Sequence, residues 1–280
     1  RYGKLSSSLE IDNIYGQLKT VYQIYCQIGG YPKVAETYLL EKDMQHAQAE
    51  LVKIMDTFTN ESIRYFTDIL DTRVFNHIFL SICRILNREK KGLAEDSLNE
   101  ELQKLVTNDY SSNISKATCN RAISWLYYFG IIGFCGKITE LDILNFKAAN
   151  RCYFMDLGVA NYYFTRVGTD SRTLMGTLNE NYVYINLKKR LDFPAEIAFE
   201  TPAFATFKGG EIDFVAQSLQ TNTRYLIEVK SGKGVAATSL KALKQGKADR
   251  LLYLKGDTKG GVDGKIETLP IYLLEQYYFK

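Results

Sequence analysis

From residue 11 to residue 86 the apolar positions recur at helical spacing, and the pattern predicts a run of helices. Val21, Ile24, Tyr25 and Ile28 share one stripe, which Gly29-Gly30-Tyr31-Pro32 then ends with a turn. A second helix is expected through Val34, Tyr38 and Leu39. Amphipathic stretches follow over 42–70 and 73–87, with Leu51, Ile54, Met55 and Phe58 on one stripe and Phe75, Ile78, Phe79, Ile82 and Ile85 on another.

Residues 73–155 have the layout of a winged helix. One helix ends near Asn87, a second covers Leu98 to Val106, and Ser115 is the expected N-cap of a third running to Phe129. Ile123, Leu126 and Phe129 would face the core and leave Lys116, Asn120, Arg121 and Ser124 outward. Ile131–Ile138 and Arg151–Met155 would pair as the wing, which Asp156-Leu157-Gly158 ends. As a reader of DNA the third helix offers only Lys116 and Arg121. Packing against a neighbouring domain is the alternative use of the same shape.

Beyond residue 170 the period changes. Gly176–Leu191 reads as an amphipathic helix, then Phe193–Thr201, Glu211–Gln217 and Arg224–Lys230 as three strands, the last two joined by a polar turn at Ser218–Asn222. A helix over Ser239–Ala248, a strand over Arg250–Lys255 and a fifth strand over Ile266–Leu273 complete the order. The expected fold class is α/β: an N-terminal all-helical and winged-helix part, then a C-terminal mixed-sheet α/β domain. The corresponding segments are 1–72, 73–158 and 159–280.

Side chains alternate across a strand, so Glu228 and Lys230 share one face while Ile227 and Val229 take the other. By the same alternation Asp213 shares a face with Glu211, and Ile212 and Phe214 point away. If the two strands pair, two carboxylates and the main-chain carbonyl of Val229 form a hard oxygen site suited to Mg²⁺ or Mn²⁺, with an ammonium beside it. Such a group could activate a water and stabilise charge on a phosphate oxygen. Glu180 falls on the apolar stripe of Val183, Tyr184, Leu187 and Leu191, so it is either a further ligand at the edge of the metal site or a first-turn acid that complements the helix dipole.

The order Glu180, Asp213, Glu228-Val229-Lys230, then a helix bearing Lys244 and Gln245, resembles the PD-(D/E)XK nuclease superfamily, whose fold is restriction-endonuclease-like. The resemblance implies that Glu180 and Asp213 assist metal binding, that Glu228 is the second ligand and Lys230 the catalytic lysine, and that Gln245 contacts phosphate beside Lys244. Over nearly the whole chain, Ile28-Gly-Gly-Tyr-Pro-Lys-Val34, Phe154-Met-Asp-Leu-Gly158, the run Gly176–Val183, Gly209-Gly-Glu-Ile-Asp-Phe-Val215 and Ile227-Glu-Val-Lys-Ser-Gly232 are similar to bacterial and archaeal AAA-type ATPases that end in a nuclease-like domain. In those proteins a P-loop module precedes the segment seen here, and residues 1–72 would correspond to a lid-like segment. This chain has no G-x-x-x-x-G-K-[ST]; Gly260–Lys265 has the wrong spacing and is followed by Ile266. ATP is therefore expected to bind only in a part of the parent that is missing here, in keeping with a first residue, Arg1, that reads as the start of a fragment.

Composition changes this picture little. Hydrophobic content of 46% and charged content of 24% are those of an ordinary globular protein. No apolar run is long enough to cross a bilayer, so no membrane partner is expected, and no leader pattern opens the chain. Five scattered cysteines without a C-x-x-C pair, and two histidines, His46 and His77, argue against a structural zinc site and suit a reducing cytoplasm. Residues 1–150 carry 17 basic and 18 acidic side chains, whereas 151–280 carry 18 and 14, with 8 against 4 in 201–250. The surplus surrounds the candidate centre and fits a polyanion, DNA above all.

Three functions remain open at this point. One is a Mg²⁺-dependent nuclease coupled to the ATPase module of its parent. A second is a module that binds nucleic acid or protein without catalysis. The third is structural service as an arm of the ATPase.

Overall fold

A computed structural model describes residues 8–62, 64, 73–90, 100, 115–192, 194–230 and 236–280. The chain is an α/β protein, with helices in its N-terminal part and a mixed eight-stranded sheet. The described helices are α1 (Ser8–Ile28), α2 (Pro32–Glu41), α3 (Met44–Ser62), α4 (Arg73–Lys90), α5 (Lys116–Tyr128), α6 (Leu157–Arg166), α7 (Ser171–Leu191) and α8 (Ala237–Lys244). The strands are β1 (Ile132–Ile138), β2 (Phe146–Phe154), β3 (Ala203–Phe207), β4 (Gly210–Gln217), β5 (Arg224–Lys230), β6 (Arg250–Lys255), β7 (Gly261–Asp263) and β8 (Ile266–Pro270). Among the described residues no helix is long and apolar enough to cross a membrane.

The helical stripes bury largely as their spacing predicts. Leu51 and Met55 of α3 and Phe75, Ile78, Phe79, Ile82 and Ile85 of α4 are buried. Val21 and Leu39 are not: they are 62% and 63% exposed, because Tyr22 and Cys26 of α1 and Val34 and Thr37 of α2 supply the buried positions instead. Ser115 caps α5, its Oγ accepting the Thr118 N–H at 3.1 Å. Lys116, Asn120, Arg121 and Ser124 face outward, but so does Phe129, at 53% exposure, because the helix ends one residue before it. The expected helix over Leu98–Val106 lies outside the described residues apart from Glu100.

The expected wing does form, as the antiparallel pair β1–β2, but it does not stand free. β1 also pairs in parallel with β3, Lys137 opposite Phe204, so the hairpin extends the C-terminal sheet, whose order is β2-β1-β3-β4-β5-β6-β8-β7. The strand expected over Phe193–Thr201 is absent from the described part of that stretch, which contributes a single bridge, Ile197 to Ser218. Pro194 and Pro202 lack an N–H for a ladder, and Phe199 has φ +92°, so the chain becomes regular only at Ala203. The fifth strand stops at Pro270 and continues as a 3-10 turn through Gln276, and α8 ends at Lys244, with Gly246 at φ +68° behind it. Helix α6 is an element that the hydrophobic pattern did not announce.

Two cores flank the sheet. The larger holds Phe204, Phe214, Ala216, Ile227, Val229, Leu252 and Leu254 under α1, α4, α6 and α7; the smaller holds Ala203, Ala205, Ile212, Val215, Leu226, Leu251 and Tyr253 under α8. Helix α7 is buried nearly all round, with Asn179, Asn181 and Asn186 among its buried residues. Asn181 uses both ends of its amide on the Phe154 backbone, accepting from N–H at 3.0 Å and donating to the carbonyl at 2.8 Å, so a buried polar side chain satisfies a strand end.

Candidate active site

The β3–β4 hairpin is closed by Lys208 and Gly209, both at positive φ, with Phe207 opposite Gly210. Gly210 lets α8 approach: a Cβ there would lie 2.1 Å from Thr238 Oγ1. Farther along, the register between β3 and β4 shifts by one residue. Ala205 faces Ile212, whereas Ala203 faces Val215, so Asp213 and Phe214 stand against the single residue Phe204. This is a β-bulge, and it re-aims the strand.

The bulge corrects the simple alternation. Ile212 and Val215 both bury in the core beneath α8, while Phe214 enters the other core. Asp213 therefore leaves the face of Glu211. The Glu211 carboxylate is held by Arg151 at 3.0 and 2.6 Å, and the Arg151 guanidinium lies 3.6 Å above the Phe204 ring, in the core on the α7 side. Asp213 turns the other way, toward Glu228 and Lys230.

There the three side chains meet. Lys230 Nζ is 2.7 Å from Glu228 Oε2 and 3.6 Å from Asp213 Oδ2. Asp213 Oδ2 also accepts the Val229 N–H at 2.7 Å, beyond the last ladder pair of Phe214 with Ile227. Glu228 Oε1 accepts the Ser239 hydroxyl from the first turn of α8. Burial pushes the Glu228 carboxyl up to about 7, with the Asp213 charge adding to the rise and Lys230 and Ser239 opposing it. For Lys230, burial alone would lower the pKa, but Asp213 and Glu228 together hold the ammonium above its ordinary value.

Ser239 escaped the sequence reading. Its signal was faint: a small polar residue on the buried side of α8, three positions before the buried Ala242. Tyr253 is the other neighbour not anticipated, opposite Glu228 in the β5–β6 register, with its hydroxyl accepting the Ala236 N–H at 3.4 Å.

Glu180 is half-buried on α7, whose buried residues share a core with Ile227 and Val229. Among the described residues no group of three or more His, Cys, Asp or Glu is placed to hold a metal ion. The described contact of Val229 to the cluster is made by its N–H, not by its carbonyl. Lys244 and Gln245 are exposed at the far end of α8, with Gln245 roughly 9 Å along the axis from Ser239 at 1.5 Å per residue. Lys116 and Arg121 sit on α5 beside β1, which β3 and β4 separate from β5.

Residues 19–171, more than half of the chain, match the family described as Domain of unknown function (DUF8612). The chain belongs to the DUF8612 family. Residues 175–274 match a second description, Domain of unknown function (DUF4143). No curated protein and no solved structure matches the chain. Asp213, Glu228, Lys230 and Ser239 all fall within the DUF4143 match, whereas Arg151, which grips the strand of Asp213, belongs to the DUF8612 part.

Proposed function

We propose that residues 175–274 carry a nuclease centre of the PD-(D/E)XK type, which cleaves phosphodiesters of nucleic acid, DNA first among them, with Mg²⁺ or Mn²⁺. The observation that carries the reading is the meeting of Asp213, Glu228 and Lys230, from two paired strands, on one side of the sheet. The donor set fits a hard divalent cation. Two carboxylates from adjacent strands are oxygen ligands, and a cation beside Glu228 would offset the burial that now favours its neutral form. When bound, such an ion makes a coordinated water more acidic and stabilises charge on a phosphate oxygen.

The chain's own residues have the following parts. The Val229 N–H fixes Asp213, and the Ser239 hydroxyl fixes one Glu228 oxygen, so neither carboxylate is free to rotate away. Lys230, still partly exposed, presents its ammonium where a phosphate would approach. A DUF4143 domain is often seen in AAA-ATPase-associated proteins, which supports a parent whose ATPase module presents the substrate. A cytoplasmic setting belongs to the same reading and is supported by five cysteines that are all buried and free.

Incubating the purified chain with plasmid, single-stranded DNA or RNA and Mn²⁺ tests the proposal. Cleavage should fall by about 10²-fold or more in both Lys230→Ala and Asp213→Asn. Equal cleavage in the two variants and the parent would defeat it.

A second reading has its own support. Lys230 already occupies the space between the two carboxylates, and no third acid among the described residues joins them. On this reading the cluster stabilises the domain, which binds nucleic acid or another protein without cutting. Calorimetry separates the two: Mn²⁺ uptake that disappears in Asp213→Asn supports the nuclease, and no uptake supports the binding module.

A further inference from the structure

Arg151 is the residue outside the cluster with the most direct mechanical access to it. Its side chain is 5% exposed, yet it is an arginine on β2, which three strands separate from β5 in the sheet. Two contacts use the full shape of the guanidinium. Its two terminal nitrogens grip the two oxygens of Glu211, and its plane lies flat against Phe204. Both partners border the β4 bulge: Glu211 is the second residue before Asp213, and Phe204 is the single residue that Asp213 and Phe214 oppose.

We infer that Arg151 is a positioning residue for Asp213, holding the bulge that turns this carboxylate toward Glu228 and Lys230. A bulge disrupts its ladder locally and leaves a residue unpaired, so the conformation depends on what grips the strand at either end. Beyond the bulge, the Val229 N–H bond to Asp213 Oδ2 sets the direction of the side chain. Before it, the Arg151–Glu211 pair sets the path of the backbone. Relaxing that pair lets β4 slide toward regular pairing with β3, which would move Asp213 to the opposite face. The inference rests on the cluster being the functional site, and it makes the site of the DUF4143 part depend on a residue of the DUF8612 part.

The Val229 amide is the readout, because its proton reports on Asp213 without any metal. Amide exchange and chemical shifts are measured on the ¹⁵N-labelled full chain, with Asp213→Ala, which lacks the acceptor, as reference. In Arg151→Met the Val229 amide should exchange about tenfold faster and shift toward its reference position, while Leu226 on the same strand holds within about twofold. Glu211→Gln, on the more exposed partner, should act in the same direction and serves if Arg151→Met does not fold. Arg151→Lys keeps the charge without the fork and should fall between. Adding Arg151→Met to Asp213→Ala should change Val229 no further.

Unchanged Val229 exchange in Arg151→Met, or equal acceleration at Leu226 and Val229, overturns the inference. Mn²⁺ titration separates it from the functional reading. A parent chain that takes up no Mn²⁺ defeats the nuclease proposal and leaves the Val229 result to judge Arg151. Uptake that is equally tight in Arg151→Met defeats the positioning role alone.

Discussion

The Lys230 ammonium stands 2.7 Å from Glu228 Oε2, where the Glu228 side chain is only 2% exposed. Truncating the cation leaves a buried carboxylate that must either stay charged or take up a proton. Lys230→Met should therefore destabilise the metal-free chain by roughly 2–4 kcal/mol at pH 8 and by much less at pH 5, where Glu228 can be neutral. Urea midpoints at the two pH values measure the difference. Equal losses at both would mean that the pair contributes packing rather than charge compensation.

Glu228 should also leave a mark on the pH profile of the parent chain. Its folded pKa of about 7 lies above that of an exposed glutamate, so between those two values the folded state holds more protons than the unfolded one. Stability from this group is present at low pH and is lost as pH rises toward 7. The loss should be on the order of 1–3 kcal/mol, and Glu228→Gln, neutral at every pH, should flatten it. Denaturation from pH 4.5 to 7.5 without divalent ions is the measurement, and parallel profiles for the two proteins would contradict it.

Much of this arrangement was legible in the sequence, and what was not has a physical cause. Period-two alternation correctly pairs Glu228 with Lys230 and buries Ile227 and Val229 opposite them, because β5 is regular along its length. The same rule fails on β4. No residue in Glu211-Ile212-Asp213-Phe214 announces a bulge, which follows from pairing with β3 and not from local preference. Helix α7 shows a similar limit. Read as having one apolar stripe, it is buried on several sides between Thr177 and Leu187, and the sheet face it meets is set by topology. The wing hairpin was legible as a hairpin, but its parallel partner β3 begins at Ala203, 67 residues beyond the paired Gly136, a separation that no local pattern spans. By contrast, several of the glycine-containing motifs mark close approaches. A Cβ on Gly158 would lie 2.4 Å from the Ile28 carbonyl oxygen, which places the Asp156-Leu157-Gly158 turn directly on the end of α1.

Gly210 and Thr238 make a compact test of how α8 is seated beside the cluster. A methyl at position 210 would meet Thr238 Oγ1 at 2.1 Å, so either the Thr238 side chain must turn away or β4 and α8 must separate. Gly210→Ala should cost about 1–3 kcal/mol, and Thr238→Ala in the same chain should return part of that loss. Since Ser239 follows Thr238 directly, Gly210→Ala should also weaken the Ser239 contact to Glu228 and slow any Mn²⁺-dependent cleavage. A double variant no better than Gly210→Ala alone would show that the contact does not limit the packing.

The turn between α1 and α2 carries the last prediction. Gly29 has φ +73°, and a Cβ on it would lie 2.1 Å from Asp156 Oδ1. That carboxylate caps α6 by accepting the Val159 N–H at 3.0 Å, and it takes the Gly30 N–H at 2.7 Å. Gly29→Ala thus meets two separate obstacles, the left-handed backbone and the occupied space. Asp156→Ala removes the second obstacle and both hydrogen bonds, at about 1–3 kcal/mol. If both effects act through this contact, the double variant should lose less than the two single losses added, by roughly 1 kcal/mol or more, because only the backbone strain of about 1–2 kcal/mol remains to Gly29→Ala. Thermal unfolding of the four proteins closes the cycle. Strict additivity would place the strain wholly in the backbone of Gly29 and remove Asp156 as the reason that this turn requires glycine.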